Sequence, residues 1–225
     1  MINSVLKKTV RPFVPRQLRK VFSQWVVDYD VSRSPDRIFL KDTLLPEVGK
    51  RGGRILFVGC QRYTASYPMI LDGYGATCWT IDIDPATARW GAKGRHTVLD
   101  VRYIAHHFSP EFFDTVVLSG VFGFGVDTDL LQNTVLVAVD TVLKRGGLLV
   151  LGWNTDRSPD PTELEELKRR FSAAVLGGLG SRWTFQGSTH VFDFLLTTDS
   201  AIGSDTQRET DYVPRCAPVG AAPRV

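Results

Sequence analysis

Two residues that could contact a ligand stand directly after two apolar runs of the sequence. Gly59 follows Ile55–Val58, and Asp82 follows Cys78–Ile81. A glycine after a strand lets a ligand approach the backbone closely, and an acid after the next strand is placed to accept hydrogen bonds from ribose hydroxyls. The pair therefore predicts a site for a ligand that contains a ribose.

The elements that must position these residues alternate between strands and helices. Ile55–Val58 and Cys78–Ile81 are joined by a turn and a helical segment, which indicates parallel strands buried on both faces. Further strands are predicted at His96–Leu99, Phe112–Ser119 and Leu148–Trp153, with a closing pair at Trp183–Gly187 and Val191–Thr198. The pattern predicts an α/β fold with a doubly wound, mostly parallel, seven-stranded sheet that ends in an antiparallel hairpin.

Three longer helices are predicted around these strands. Ile38–Val48 precedes the first strand, and Gly49 is its predicted C-cap. Leu130–Leu143 has apolar residues that fit a buried face. Thr162–Leu176 is predicted to begin with Thr162 as N-cap, because acids follow in its first turn.

Composition fits one α/β domain with terminal additions. The chain has 225 residues, of which 43% are hydrophobic and 23% charged, and its net charge is +3. We divide it into a basic helical arm (residues 1–50), the α/β domain (residues 51–199) and a tail (residues 200–225). The tail is too polar to bury enough surface to order itself.

The first 27 residues carry basic side chains and no acid: Lys7, Lys8, Arg11, Arg16, Arg19 and Lys20. Such a segment could make weak contact with a membrane surface or a phosphorylated substrate. The plainer interpretation is a solvated helical arm packed on the domain. No basic stripe interleaved with aromatic residues runs through the rest of the sequence, so nucleic acid is not expected as a partner.

The cysteines predict neither a metal site nor a disulfide framework. Cys60, Cys78 and Cys216 lack the spacing of metal ligands. Cys60 and Cys78 fall at apolar strand positions, where a free cysteine behaves as a small hydrophobe. Because the sequence also lacks a long apolar stretch and a signal-type apolar core, we expect the cytoplasm as its compartment.

The turn after Gly59 differs from the dinucleotide-binding fingerprint. That fingerprint, G-x-G-x-x-G, requires two further glycines, whereas residues 60–64 contain none. A nicotinamide-dependent oxidoreductase is therefore disfavoured.

Residues 52–198 resemble the class I S-adenosyl-L-methionine (SAM)-dependent methyltransferases, of the type 11-like kind. Five blocks carry the resemblance in the family's order and spacing: Ile55–Tyr63, Thr80–Pro85, Val98–Val101, Asp114–Gly120 and Leu143–Val150. The first is the counterpart of a strand that runs into G-C-G-x-G, and the fifth contains an L-K-x-G-G turn before an apolar strand. The resemblance implies a Rossmann-like methyltransferase domain and SAM as cofactor.

The resemblance also implies which residues contact SAM. Gly59 and Cys60 would lie against the methionine part, and Asp82 would take the ribose hydroxyls. Asp100 would accept from the adenine amino group beside Val101. The full set is Gly59, Cys60, Asp82, Ile83, Asp100, Val101, Ser119 and Gly120, the last two flanking the sulfonium. Two alternatives stay open: Asp82 as the cap of a helix, and Asp100 as an acid of a surface turn.

The first motif departs from the family's pattern. Phe57 stands in place of an acid, and Gln61 and Tyr63 stand in place of two glycines. Side chains at the glycine positions would crowd a ligand unless the loop swings away. Pro68 predicts a helix that begins near Ser66, after a longer loop that supplies side-chain contacts. The rival interpretation is a non-catalytic methyltransferase-like domain that binds a partner and has lost the cofactor.

Methyl transfer requires the alignment of two reactants, and an oxygen acceptor also needs a base. Candidate bases lie in the loops at the carboxyl ends of the strands: His190, Asp156 and Asp127. A structural role is the alternative for His190.

Three aromatic residues could form an acceptor wall or belong to the core: Phe122, Phe124 and Trp153. We therefore predict O-methylation of a small molecule or saccharide.

Overall fold

The computed structural model describes Asp28 and residues 31–198 of the chain. The basic segment 1–27, the predicted tail 200–225 and Cys216 lie outside the described residues. None of the helices in the described part has the length and hydropathy that crossing a membrane requires. The domain division between residues 50 and 51 remains a prediction.

In the described part of the chain, eight strands form one sheet: β1 (Arg54–Val58), β2 (Thr77–Asp82), β3 (His96–Val98), β4 (Phe113–Ser119), β5 (Leu143–Asn154), β6 (Phe171–Ala173), β7 (Arg182–Thr184) and β8 (His190–Thr197). Their spatial order is β3-β2-β1-β4-β5-β8, and β6 and β7 follow one another along the outer edge of β8. β1 to β5 pair in parallel, whereas β8 is antiparallel to β5, β6 and β7. The predicted doubly wound sheet with an antiparallel end is confirmed, but it has eight strands in the described residues and not the predicted seven, because Phe171–Ala173 adds β6.

Helix α1 comprises three consecutive stretches: Pro35–Phe39, the π-helical Leu40–Leu44 and Leu45–Arg51. The other α-helices are α2 (Tyr67–Gly73), α3 (Ile104–His107), α4 (Asp129–Val142) and α5 (Glu165–Arg170). Short 3-10 turns stand at Arg62–Thr64, Pro85–Trp90, Val101–Tyr103 and Pro161–Glu163.

Among the residues that the structure describes, two hydrophobic clusters fill the space between the sheet and the helices. Leu40 and Leu44 of α1 pack with Phe192 in one cluster, and Val135 and Val139 of α4 belong to the other. The parallel strands are apolar on both faces and must be covered on both. A ligand can then approach the sheet at the ends of its strands.

The first predicted helix ends later than expected. It continues past Val48 to Arg51 and is capped by Gly52, whose φ is +72°. Gly49 is therefore not the C-cap. A Cβ on Gly49 would lie 2.7 Å from the Cβ of Tyr74, so this glycine instead allows α1 to pack closely against the end of α2.

The predicted helix Thr162–Leu176 is wrong at both ends. Its α-helical part is only α5, which the 3-10 turn Pro161–Glu163 precedes, and Thr162 is not the N-cap, because the side chain of Asp160 accepts a hydrogen bond from the Thr162 N–H at 2.9 Å. Phe171–Ala173 is extended because its backbone pairs with β8. Tertiary pairing has overridden the local helical pattern there.

Candidate functional site

A crevice of about 590 Å³ opens at the carboxyl ends of β1 to β4. β1 lies between β2 and β4, so the chain connections diverge here, which is where open α/β sheets bind ligands. The crevice is lined by seven of the eight residues that the resemblance implied for SAM: Gly59, Asp82, Ile83, Asp100, Val101, Ser119 and Gly120. Their roles remain predictions.

Cys60, the eighth residue, lies behind the crevice wall with 1% of its surface exposed. Burial raises the pKa of its thiol to about 11, so the sulfur stays protonated and unreactive. Its backbone N–H faces Asp82 and donates to Oδ2 at 2.6 Å. Among the described residues, no group of three or more His, Cys, Asp or Glu side chains could hold a metal ion.

Asp82 is held at the end of β2 by backbone donors on both carboxylate oxygens. Oδ2 accepts from the Cys60 N–H, and Oδ1 accepts from the Asp84 N–H at 2.8 Å. Each oxygen has a second acceptor site, so the fixed carboxylate can receive two neighbouring hydroxyls. The capping role that stood as the alternative belongs to Asp84, whose side chain accepts from the Ala86 N–H at 2.8 Å.

Asp100 lines the crevice with its carboxylate already bound by Arg102. The guanidinium Nε lies 3.0 Å and 2.9 Å from the two oxygens, and the Arg102 backbone N–H donates to Oδ1 at 2.9 Å. The side-chain hydrogen bond from Arg102 is the largest cause of the lowered pKa of Asp100. A ligand amine at Asp100 would have to share or displace the arginine.

The loop that replaces the glycine-rich turn is compact. The Gln61 N–H donates to Thr64 Oγ1 and the Thr64 N–H donates to the Gln61 carbonyl, both at 2.9 Å. As predicted, the helix that follows begins near Ser66, with Pro68 in its first turn. Tyr63 forms part of the crevice wall, and the crevice stays open beside it.

Arg37, which the sequence does not single out, reaches the crevice from the first turn of α1. Its Nη1 donates to Ser119 Oγ at 3.3 Å, and its Nε lies 3.4 Å from Asp36 Oδ2. The guanidinium carbon is 5.5 Å from the centre of the Tyr63 ring. The residue precedes every methyltransferase-like block, so only the fold brings it to the end of β4.

None of the three predicted bases lines the crevice. His190 is 1% exposed at the start of β8, and its Nδ1 lies 3.1 Å from Asn154 Oδ1. The amide oxygen accepts, which assigns the proton to Nδ1 and leaves Nε2, without a hydrogen-bond partner among the described residues, as an acceptor. Asp127 accepts from the Gly125 N–H and is exposed, as is Asp156.

Replacing His190 by glutamine is expected to reduce the loss of stability on acidification. Burial, and next the charge of Arg37, lower the pKa of His190 to about 4 from 6.5. The unfolded chain therefore binds a proton that the folded chain refuses, and stability falls as pH drops from 6.5 towards 4. Urea unfolding across this pH range should show that the free energy of unfolding falls by about 1–3 kcal/mol more in the unmodified protein than in the variant. If the free energies of unfolding of the two proteins change with pH in parallel, the lowered pKa of His190 would be contradicted.

The three predicted aromatic residues separate into core and crevice. Phe122 is fully buried, and Trp153 is buried with its Nε1 donating to Asp193 Oδ2 at 2.8 Å. Phe124 is 52% exposed, lines the crevice, and has the guanidinium of Arg157 5.2 Å from its ring centre. Of the three, Phe124 is placed to contact a bound molecule.

The structure is similar to several solved structures. N-methyltransferase NodS from Bradyrhizobium japonicum WM9, in complex with S-adenosyl-L-homocysteine, aligns with a TM-score of 0.58 and 17% identity over 75% of this chain and 91% of that chain. A TehB-like SAM-dependent methyltransferase from Corynebacterium glutamicum aligns with a TM-score of 0.53 and 18% identity over 76% of this chain and 98% of that chain.

The PH0226 protein from Pyrococcus horikoshii OT3 gives a TM-score of 0.54 and 19% identity over 72% of this chain and 90% of that chain. No protein-family model and no curated protein matches the sequence. At these levels of identity the similarity establishes the fold.

Proposed function

We propose that the chain is a SAM-dependent methyltransferase, because it has the fold of the class I enzymes of that kind. Its proposed acceptor is a hydroxyl group of a small molecule or saccharide. The observation that carries the proposal is the carboxylate of Asp82, fixed in an open crevice at the strand ends by two backbone N–H groups.

The residues of the crevice fit SAM in three respects. Asp82 offers free acceptor sites to ribose hydroxyls. The exposed side chain of Ile83 offers an apolar surface for a base. Gly59 has a φ of +91°, and a Cβ built on it meets no protein atom within 4 Å, so the backbone there is open to a ligand. SAM would supply an electrophilic methyl group.

The chain's own residues would align the acceptor and exclude water. Ser119 ends β4 and Gly120 follows it, both beside Arg37, and Phe124 lies in the crevice wall with its ring exposed. An aromatic face beside polar groups suits a sugar ring or a small phenol. Fixing two reactants in this way is the main contribution that displacement at a methyl group requires.

The base for a hydroxyl acceptor remains a proposal. His190 has the tautomer of a base, because Asn154 fixes the proton on Nδ1 and leaves Nε2 as an acceptor. Its burial means that a substrate proton would reach it only if the side chains around it moved. Asp127 and Asp156 are accessible but lie outside the crevice.

A methyl-transfer assay with SAM labelled in its methyl group tests the proposal. The full chain is incubated with sugars and hydroxylated small molecules, each beside its deoxy analogue, and with amines in parallel. We expect label on at least one hydroxyl compound and none on its deoxy analogue. Transfer to amines alone would contradict O-methylation, although the chain would still be a methyltransferase.

Substituting Gly59 by alanine is expected to weaken binding of S-adenosyl-L-homocysteine at least tenfold in calorimetric titrations, because the new methyl group would occupy crevice space. Gly52→Ala is the matched control. Its φ is also positive, at +72°, and a Cβ there also meets no atom within 4 Å, but it lies before β1 at the opposite end of the strand. Equal losses in both variants would contradict a ligand at Gly59.

The second candidate function, a non-catalytic domain that has lost the cofactor, is favoured by one observation. Arg102 binds both carboxylate oxygens of Asp100, where the resemblance places the adenine amino group. Arg102→Ala separates the two functions. If the arginine blocks the site, the variant binds S-adenosyl-L-homocysteine and the unmodified chain does not.

Two finer proposals concern the surroundings of the protein. Weak contact of residues 1–27 with a membrane surface or a phosphorylated substrate rests on the six basic side chains of that segment. The cytoplasm is supported by Cys60 and Cys78, which are both free thiols. Binding of the full chain to vesicles with and without anionic lipid tests the first proposal.

A further inference from the structure

Arg37 is a partly buried cation in the wall of the crevice. Its side chain is 13% exposed, and it lies among Ser119, Tyr63 and Asp36. Nη2 lies 3.5 Å from the position that a Cβ on Gly120 would take, so this edge of the guanidinium borders the end of β4. A guanidinium in a protein wall presents a planar fork that matches a carboxylate or a phosphate.

The charges of the crevice are separated along its length. Asp82, Asp84 and Asp100 line the part formed by β2 and β3, where Arg102 is already paired with Asp100. Arg37 lies at the end of β4. Asp28 also lines the crevice. The part beside β4 is thus where the crevice offers a cation to a ligand.

The acidic neighbour of Arg37 is Asp36. The Nε–Oδ2 separation of 3.4 Å is long for an ion pair with a direct hydrogen bond. Burial is the largest cause of the lowered pKa of His190. The positive charge of Arg37 is the second cause, and it exceeds the opposing effect of the negative charge of Asp36. Asp36 therefore does not hold Arg37 through a short hydrogen bond.

This placement has a consequence for the proposed reaction. Under the proposed function, Ser119 and Gly120 flank a sulfonium, and Arg37 contacts the first and borders the second. Two cations side by side in a crevice repel each other unless an anion lies close to both, and that anion can be the carboxylate of the cofactor or a group of the acceptor. The resemblance places the methionine part of the cofactor at Gly59 and Cys60, after β1, whereas Arg37 lies at the end of β4. We infer that Arg37 binds a carboxylate or phosphate group of the methyl acceptor, which is therefore an anionic molecule. This inference rests on the proposed function and narrows its substrate class.

Inorganic phosphate is the probe, because the acceptor is unidentified. The full chain is saturated with S-adenosyl-L-homocysteine and titrated with phosphate at constant ionic strength, with binding followed by phosphorus NMR. We expect saturable binding in the millimolar range, weakened at least tenfold by Arg37→Gln. Arg37→Lys, which keeps the charge, should retain more of the affinity than Arg37→Gln.

Arg51→Gln is the matched control, since Arg51 is an exposed arginine at the other end of α1. It should leave phosphate binding unchanged. Circular dichroism of each variant checks whether the fold is intact, and Arg37→Lys keeps the test informative if Arg37→Gln does not fold. Absence of phosphate binding to the unmodified chain, or equal binding to Arg37→Gln, would overturn the inference.

A second titration separates the acceptor from the cofactor as the source of the anion. S-adenosyl-L-homocysteine carries a carboxylate, and 5′-methylthioadenosine does not. We expect Arg37→Gln to bind both within threefold of the unmodified chain. A tenfold loss for S-adenosyl-L-homocysteine alone would overturn the inference, because Arg37 would then hold the cofactor. If the unmodified chain binds neither nucleoside, it is the proposed function that has failed.

Discussion

Replacing Asp82 by alanine is expected to weaken binding of S-adenosyl-L-homocysteine by about 30–100-fold. The variant loses the acceptor for the ribose hydroxyls, and loss of a hydrogen bond to a charged group costs about 1.5–3 kcal/mol in total here, the range in which a 30–100-fold loss of affinity falls. It also frees the N–H groups of Cys60 and Asp84, which position the two sides of the crevice. Calorimetric titration of both proteins measures the ratio.

Asp84→Ala is the control for this prediction. Asp84 is the neighbouring acid and also lines the crevice, but its carboxylate accepts from the Ala86 N–H to cap the following turn. We expect its removal to change affinity by less than about fivefold, because it loses only a local cap. Unchanged affinity in Asp82→Ala, in a protein that still folds, would show that the ribose lies elsewhere.

Replacing Arg170 by alanine is expected to destabilise the protein by about 3–5 kcal/mol, the range for breaking a buried ion pair by removing one partner. Arg170 on α5 is buried, and its Nη1 lies 2.7 Å from Oδ2 of the buried Asp140 on α4. It also pairs with Glu166. The variant leaves Asp140 as an uncompensated buried carboxylate. Urea unfolding at neutral pH measures the loss.

Lys168→Ala is the matched control on the same helix. Lys168 pairs with Glu163, but both side chains are more than half exposed, and exposed pairs contribute about 0–1 kcal/mol. The double variant Arg170→Met, Asp140→Leu should recover most of the lost stability, because apolar replacement of both partners leaves no buried charge. A loss of under about 1 kcal/mol in Arg170→Ala would contradict the structural role.

The sheet could be predicted from the sequence because its parallel strands are buried on both faces. Continuous apolar runs such as Ile55–Val58, when they alternate with helical segments, are typical of strands that helices cover on both sides. The loop between β1 and α2 could be predicted in part. Pro68 restricts where α2 can begin, and α2 begins there.

Two features of the fold could not be predicted because they depend on distant partners. Phe171–Ala173 continues a helical pattern, and only pairing with β8 makes it a strand. Gly49 has the local signature of a helix cap, but the helix continues to Arg51, and the glycine instead leaves room for Tyr74, which is distant in sequence.

In the candidate site, too, some residues could be predicted from the sequence and others could not. Gly59 and Asp82 follow strands in the sequence, so their placement at one edge of the sheet was foreseeable. Arg37 was not foreseeable, because it lies ahead of these strands and the folding of α1 over β4 brings it in. The side-chain partner of Asp100 is Arg102, two residues away, and no spacing rule indicates that this pair would close.

Calorimetric titration of the unmodified full chain with S-adenosyl-L-homocysteine tests the central claim most directly, with reduced nicotinamide dinucleotide as the comparison ligand. The open crevice and the fixed carboxylate of Asp82 predict saturable binding of one molecule with a dissociation constant below about 100 μM, and no comparable binding of the dinucleotide. A folded protein that gives no heat with S-adenosyl-L-homocysteine up to about 1 mM would contradict the claim.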